Sequence, residues 1–302
     1  MRGTALVFGL AFLGCGPQDS SDSNPDSEAS SFSVQTSTEA GWLAIATGFD
    51  HTCAVDSSNQ VQCWGKSKNE AREDPTLPPE NPLVSLDAGM EFACGLDSEG
   101  TAHCWGDSTF GKTTSPNGTE FLEIATGYGH TCGIQADQSI DCWGWGGYDA
   151  TVAPEGGFTA VQGGYHYMCA INTDGGLQCW GFDFADQASP PVGEFSALSA
   201  ASDSACAVAL TGEVSCWGNN SFGQATDPPL LLQAIDGGAR HHCGITDSGE
   251  GHCWGDNSYG QLDLPEETWT TIHAGGGHSC GIDSDGWVYC WGWNTEGQST
   301  PP

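Results

Sequence analysis

One thirteen-residue stretch, Cys280-Gly-Ile-Asp-Ser-Asp-Gly-Trp-Val-Tyr-Cys290-Trp291-Gly292, is written seven times along the chain with changes only between its fixed points. The copies begin at Cys53, Cys94, Cys132, Cys169, Cys206, Cys243 and Cys280, and each has a second cysteine ten residues on, followed at once by Trp-Gly. The steps between copies are 41, 38 and then four times 37 residues, a period that signals a repeat architecture.

Each copy reads as a β-hairpin. Around Asp/Asn/Ser/Gly turns such as Asp97-Ser98-Glu99-Gly100, apolar residues recur with period two, for example Val55 and Val61, or Ile282 and Val288, on the face that carries the cysteines. A central turn sets the two cysteines opposite each other, within reach of a disulfide. The spacing therefore predicts Cys53-Cys63, Cys94-Cys104, Cys132-Cys142, Cys169-Cys179, Cys206-Cys216, Cys243-Cys253 and Cys280-Cys290. Upstream, a further strand recurs, with an aromatic or Leu eleven residues before the first cysteine (Trp42, Leu83, Phe121, Phe158, Phe195, Leu232, Trp269) and Gly or Ala five before it.

Gly-x-x-His-x-Cys-x-Ile/Val, the Asp-Gly turn, Cys-Trp-Gly-x-Asn and a closing Gly-Gln together resemble the repeat of the regulator of chromosome condensation family, in its cysteine-bridged bacterial form. The resemblance spans residues 41–302 and implies an all-β, seven-bladed β-propeller in which each blade is covered only by its neighbours. Copies one, three and four depart from the Gly-Gln step, with Glu70-Ala71, Asp149-Ala150 and Asp186-Gln187. Ring closure is open between simple juxtaposition of the ends and an exchanged strand.

The N-terminus reads differently. Residues 1–14, with Arg2 before the apolar run Ala5–Leu13, have the layout of a secretory signal, too short to span a membrane. Phe12-Leu13-Gly14-Cys15 resembles a lipoprotein signal-peptidase box, so lipidation at Cys15 is expected, with a free thiol as the alternative for this odd cysteine. Residues 15–40 are then a lipidated Cys and a Ser/Asp-rich tether too poor in apolar residues to order, about 25–30 Å from end to end. Together these place the chain outside the cytosol, in a bacterial cell envelope or secreted, where disulfides persist.

Charge narrows the partners. Asp and Glu number 39 against six Lys and Arg, a formal net charge of -33. Nucleic acid, which is bound by neutralising phosphates, is excluded as a partner. A protein with a basic surface is favoured.

The chemical candidates are weak. His51, His130, His241 and His278 recur two residues before the first cysteine, where Phe92, Tyr167 and Ser204 stand in the other copies. A metal-binding ring is conceivable, but a position that tolerates Phe points to a structural hydrogen-bonding role. Asp283-Ser284-Asp285-Gly286 resembles a calcium loop without its closing Glu and reads as a turn. No nucleophile elbow, zincin or phosphate-loop motif occurs. The expectation is no enzyme, no catalytic residue, no metal and no cofactor.

What varies between copies carries more information about ligands. Two residues after the Trp of each Cys-Trp-Gly stand Lys66, Asp107, Trp145, Phe182, Asn219, Asp256 and Trp293, and copies three and four add Tyr148 and Phe184 in the same loops. Trp145, Tyr148, Phe182, Phe184 and Trp293 are the candidate ligand-binding residues, with packing between blades as the alternative. The expected function is a monomeric binding module for a protein; a carbohydrate-binding module comes second and a hydrolase or lyase third.

Overall fold

The computed structural model describes residues 34–66 and 74–302. The signal segment, Cys15 and most of the expected tether lie outside the described residues. A two-residue strand, β1 (Gln35–Thr36), precedes seven antiparallel sheets. In chain order they are β2 (Trp42–Thr47), β3 (His51–Asp56), β4 (Val61–Gly65); β5 (Ser85–Ala88), β6 (Phe92–Leu96), β7 (Ala102–Gly106); β8 (Phe121–Thr126), β9 (His130–Gln135), β10 (Ile140–Gly144); β11 (Phe158–Gly163), β12 (Tyr167–Asn172), β13 (Leu177–Gly181); β14 (Phe195–Ala200), β15 (Ser204–Ala209), β16 (Val214–Gly218); β17 (Ala234–Gly237), β18 (His241–Ile245), β19 (Gly251–Gly255); and β20 (Trp269–Ala274), β21 (His278–Asp283), β22 (Val288–Gly292).

Every hairpin places its two cysteines in register, Cys53 opposite Cys63 and so on to Cys280 opposite Cys290. All seven expected disulfides are formed, with Cα atoms 4.0–4.1 Å apart. Where an aromatic stands eleven residues before the first cysteine, the inner strand bulges just after it, as at Trp42, Phe121, Phe158, Phe195 and Trp269. Leu83 and Leu232 instead precede short, regular inner strands.

The core is divided among the contacts between blades. Seven apolar clusters each join two neighbours, and one of them sets Trp42, Ile45 and Ala54 of blade one against Ile282 and Val288 of blade seven. Each Trp of a Cys-Trp-Gly donates its indole N–H to a loop carbonyl of the preceding blade, from Trp105 to Pro75 (2.9 Å) around to Trp64 and Gln298 (2.9 Å). The seven-bladed ring thus closes between blades seven and one by the same contacts that join every other pair.

Closure has a second part. β1 adds a fourth strand to blade seven, Gln35 opposite Cys290 and Thr36 opposite Tyr289, and Ser37 N–H donates to Val288 O (2.8 Å). The strand is exchanged, and residues 34–40, expected within the tether, belong to the propeller. The expected boundary at residue 41 is therefore corrected toward the N-terminus.

In copies three and four the loops that depart from Gly-Gln keep its shape, while Glu70-Ala71 of copy one lies outside the described residues. Asp149 (φ 61°) and Asp186 (φ 59°) adopt the left-handed conformation that Gly223 and Gly260 adopt elsewhere, because a short side chain that bonds locally tolerates that region.

Candidate binding face

Inner and outer strands both run toward one rim, so three variable stretches of each blade gather there: the loop before the middle strand, the residue after Trp-Gly, and the turn ahead of the Gly-Gln step. The first two are clasped in all seven blades by a backbone hydrogen bond of 2.8–2.9 Å, such as Trp145 N–H to Gly129 O and Trp293 N–H to Gly277 O. Where the loop offers glycine, the partner is tryptophan.

Blades three and four bring the expected aromatics together. Trp145 lies 5.7 Å from Tyr148, Tyr148 4.8 Å from Phe182, and Phe182 stacks on Phe184 at 6.3 Å. Trp293 is not part of this group; it packs on blade seven against Tyr259 (5.8 Å) and Phe49 (6.3 Å). Trp145, Phe182 and Trp293 are half-buried, so packing with their neighbours accounts for much of each ring. Tyr128, Tyr165 and His166 extend the first group inward, His166 lying 4.3 Å from Trp145 and 4.0 Å from Tyr165. These three, with Phe49, escape a reading confined to the post-Trp-Gly loop. The signal was available four residues before the first cysteine, where Phe49, Met90, Tyr128 and Tyr165 give way to Ser202, Ala239 and Gly276.

The turns form an outer arc. Phe110, Tyr148, Phe184, Phe222 and Tyr259, one on each of blades two to six, are 67%, 59%, 89%, 42% and 45% exposed. Phe110 (φ 63°) and Tyr148 (φ 57°) hold left-handed backbone, a conformation costly for an aromatic residue.

Charge on this rim is partly cancelled. Lys66 pairs with buried Asp50 (2.9 Å) and Lys112 with buried Asp107 (3.0 Å). Burial pushes Asp50 up, but the neighbouring His51 ring and the paired Lys66 ammonium hold it below the usual carboxylate range. Arg240 lies 4.7 Å over the Phe222 ring. Asp203 is raised by burial, with Arg240 working against the shift.

The innermost strands carry Asp87, Glu123, Asp236 and His273. Each carboxylate accepts from a backbone N–H of the next blade: Asp87 from Thr126, Glu123 from Val161 (3.1 Å) and Asp236 from Ala274 (2.8 Å). Burial raises Asp87 to about 6 and Glu123 to about 7. Asp236 also faces His273 at 3.4 Å, which outweighs burial and holds His273 above its ordinary value. The channel mouth, lined by loops of all seven blades, is a small open cavity of about 90 Å³. Committed to backbone N–H groups of the next blade, the three carboxylates serve as clamps between blades. Among the described residues no three His, Cys, Asp or Glu side chains gather to hold a metal ion.

The histidine position is structural, but its hydrogen bonding is uneven. His278 Nε2 lies 2.8 Å from Thr52 Oγ1 and His241 Nε2 2.8 Å from Ser279 Oγ, each on the following blade. The equivalent neighbours of His51 and His130 are Ala93 and Met168, so their ring nitrogens have no hydrogen-bond partner among the described residues. The expected hydrogen-bonding role is thus corrected for these two.

Fold and rim together define a disulfide-stapled seven-bladed propeller with aromatic side chains gathered at one rim. Five segments, residues 42–70, 83–112, 195–224, 233–261 and 269–298, match the regulator of chromosome condensation (RCC1) repeat. Among solved structures the chain is similar to the ectodomain of the Physcomitrella patens receptor kinase CR4 (TM-score 0.70, 22% identity, 84% of this chain and 74% of that one). It is also similar to the CRINKLY WD40 ectodomain of the Arabidopsis thaliana receptor kinase ACR4 (0.69, 24%, 84% and 98%). A third is Prp20p of Saccharomyces cerevisiae, characterised with its binding to Gsp1p and histones (0.65, 13%, 82% and 81%). No curated protein matches in sequence.

Proposed function

We propose that this chain is an exported, lipid-anchored, non-catalytic propeller that binds a protein through its aromatic rim. The observation that carries the reading is the arc of exposed rings on blades two to six, backed by the half-buried cluster of Trp145, Phe182 and His166. Large apolar groups held out at one face of a soluble disc are characteristic of interaction surfaces. Prp20p, of the same fold, binds Gsp1p and histones, so this architecture can serve as a protein platform. Seven disulfides fit an oxidising environment. The apolar run ahead of Cys15 supports export and anchoring.

Affinity capture with oxidised residues 34–302, against envelope proteins and a glycan panel at two salt concentrations, tests the reading. One saturable protein partner, held less tightly at high salt, is expected. Capture of glycans alone, lost on Trp145→Ala or Phe182→Ala, would replace it with a carbohydrate-binding module. For the anchor, Cys15→Ser is expected to leave the membrane fraction, and its retention there after signal cleavage would contradict lipidation.

A further inference from the structure

The change from bulky to small residues four before the first cysteine opens a space. Where Ser202, Ala239 and Gly276 replace the large side chains of blades one to four, a cavity of about 380 Å³ lies beside the channel mouth. Its walls are four rings, Phe49, Tyr165, Tyr259 and Trp293, and Asp203 and Asp256 line it with Arg240. Trp293 is held in place by Tyr259, stacked at 29° with 5.8 Å between ring centres, and by Phe49 edge-on.

We propose that this cavity receives a Lys or Arg side chain of the bound protein, an inference that rests on the protein-binding reading. Three observations support it. Two carboxylates against one guanidinium leave the lining net negative, in a molecule of formal charge -33. Arg240 is drawn onto Phe222 and has no carboxylate within 4 Å among the described residues, so it does not neutralise Asp203 or Asp256 by direct contact. The same rim already settles its own cations on rings, the Lys112 ammonium 4.8 Å over Phe92 and the Arg240 guanidinium 4.7 Å over Phe222. Aromatic faces attract cations, and most strongly where water is partly excluded. An anionic group would meet two carboxylates there. A sugar stacking on Trp293 would compete with Tyr259 for a ring face.

The test uses oxidised residues 34–302 and four small probes: Nα-acetyl-arginine amide, Nα-acetyl-lysine amide, the uncharged Nα-acetyl-norleucine amide and a methyl glucoside. Calorimetry measures affinity, and the Trp293 indole resonance reports location. The two cationic probes are expected to saturate the site at least about tenfold more tightly than norleucine, with the preference abolished in Asp203→Asn/Asp256→Asn. That isosteric pair keeps the cavity's shape, and an unchanged melting temperature establishes that it folds. Equal binding of norleucine, binding of the glucoside alone, no effect of the Asn pair, or no saturation by either cation would each overturn the proposal. The two readings fail separately. Cation selectivity that persists while rim variants leave partner binding untouched would sink the protein-binding face and leave a cation site. Loss of partner binding on the rim variants, without cation selectivity, would do the reverse.

Discussion

Trp291 is fully buried, packed on Trp269 at 5.6 Å, and bonded through its indole to Gln261 O on the preceding blade. Truncating it removes an aromatic from the contact between blades six and seven and takes from Gln261 O one of its two donors, leaving Ser279 Oγ at 3.1 Å. Trp291→Ala is predicted to cost about 3–5 kcal/mol in denaturant unfolding, and an unchanged midpoint would contradict that. Trp217 makes the same bond, to Gln187 O at 2.8 Å, but is only half-buried, so Trp217→Ala is expected to cost less. The Gln298 amide shows how the same residue type shapes the loop: its Oε1 accepts from Glu296 N–H, as Gln224 does from Phe222 and Gln261 from Tyr259.

A blade is a hairpin that cannot cover its own faces, and its disulfide compensates for strands of only four to six residues. Closing an eleven-residue loop is worth about 2.7 kcal/mol in the chain-entropy model. Cys206→Ala/Cys216→Ala is therefore predicted to lower stability by about 2–4 kcal/mol while leaving the other six bridges intact in peptide mapping; reshuffled pairs would contradict blade-by-blade pairing. The exchanged strand is tested by comparing chains that begin at residue 34 and at residue 39. The shorter chain loses the β1 pairing and the bonds of Ser37 with Val288 and of Thr38 with Pro302. It is predicted to be less stable by about 2–5 kcal/mol, and superimposable melting curves would show that the strand contributes nothing.

At the scale of the whole ring, buried titratable groups set a pH dependence. Burial holds His130 and His241 down to about 4 and His242 and His278 to about 3, against about 6.5 in an unfolded chain. The unfolded chain takes up these protons first, so stability falls as pH drops from about 7 toward 4. Asp87, Glu123 and His273, all raised, act in the opposite sense, their stabilisation being lost as pH rises through their folded values. The four histidines have the larger shifts, so the melting temperature is predicted to be lower at pH 5 than at pH 7. Glu123→Gln keeps an oxygen for Val161 N–H and is predicted to raise it more at pH 8 than at pH 5. The reverse ordering in either case would contradict the assignment.

Blade number, disulfide pairing and the divided core were legible in the sequence because all three follow from local spacing repeated seven times. Ring closure was not, because Gln35 and Thr36 lie in a polar stretch and gain their strand only by pairing with Cys290 and Tyr289, far along the chain. Half of the binding face was legible for the same reason. Trp145, Tyr148, Phe182 and Phe184 share one loop type and so appear together, whereas Phe49 and Tyr259 join Trp293 from different blades and different loops. The lack of hydrogen-bond partners for the His51 and His130 rings was hidden as well, since Ala93 and Met168, which deny them a hydroxyl, belong to the next repeat.

The central claim is that the aromatic rim binds a protein, and it is tested most directly by measuring affinity for the captured partner on both ends of the disc. Phe184→Ala and Tyr148→Ala change the rim, while Leu43→Ala and Leu122→Ala remove comparably exposed side chains near the hairpin-turn end. The account predicts that each rim substitution weakens binding by about tenfold or more, as truncating a hot-spot residue does, and that the opposite pair leaves it unchanged. Equal affinity across all four variants, or loss confined to Leu43 and Leu122, would contradict it.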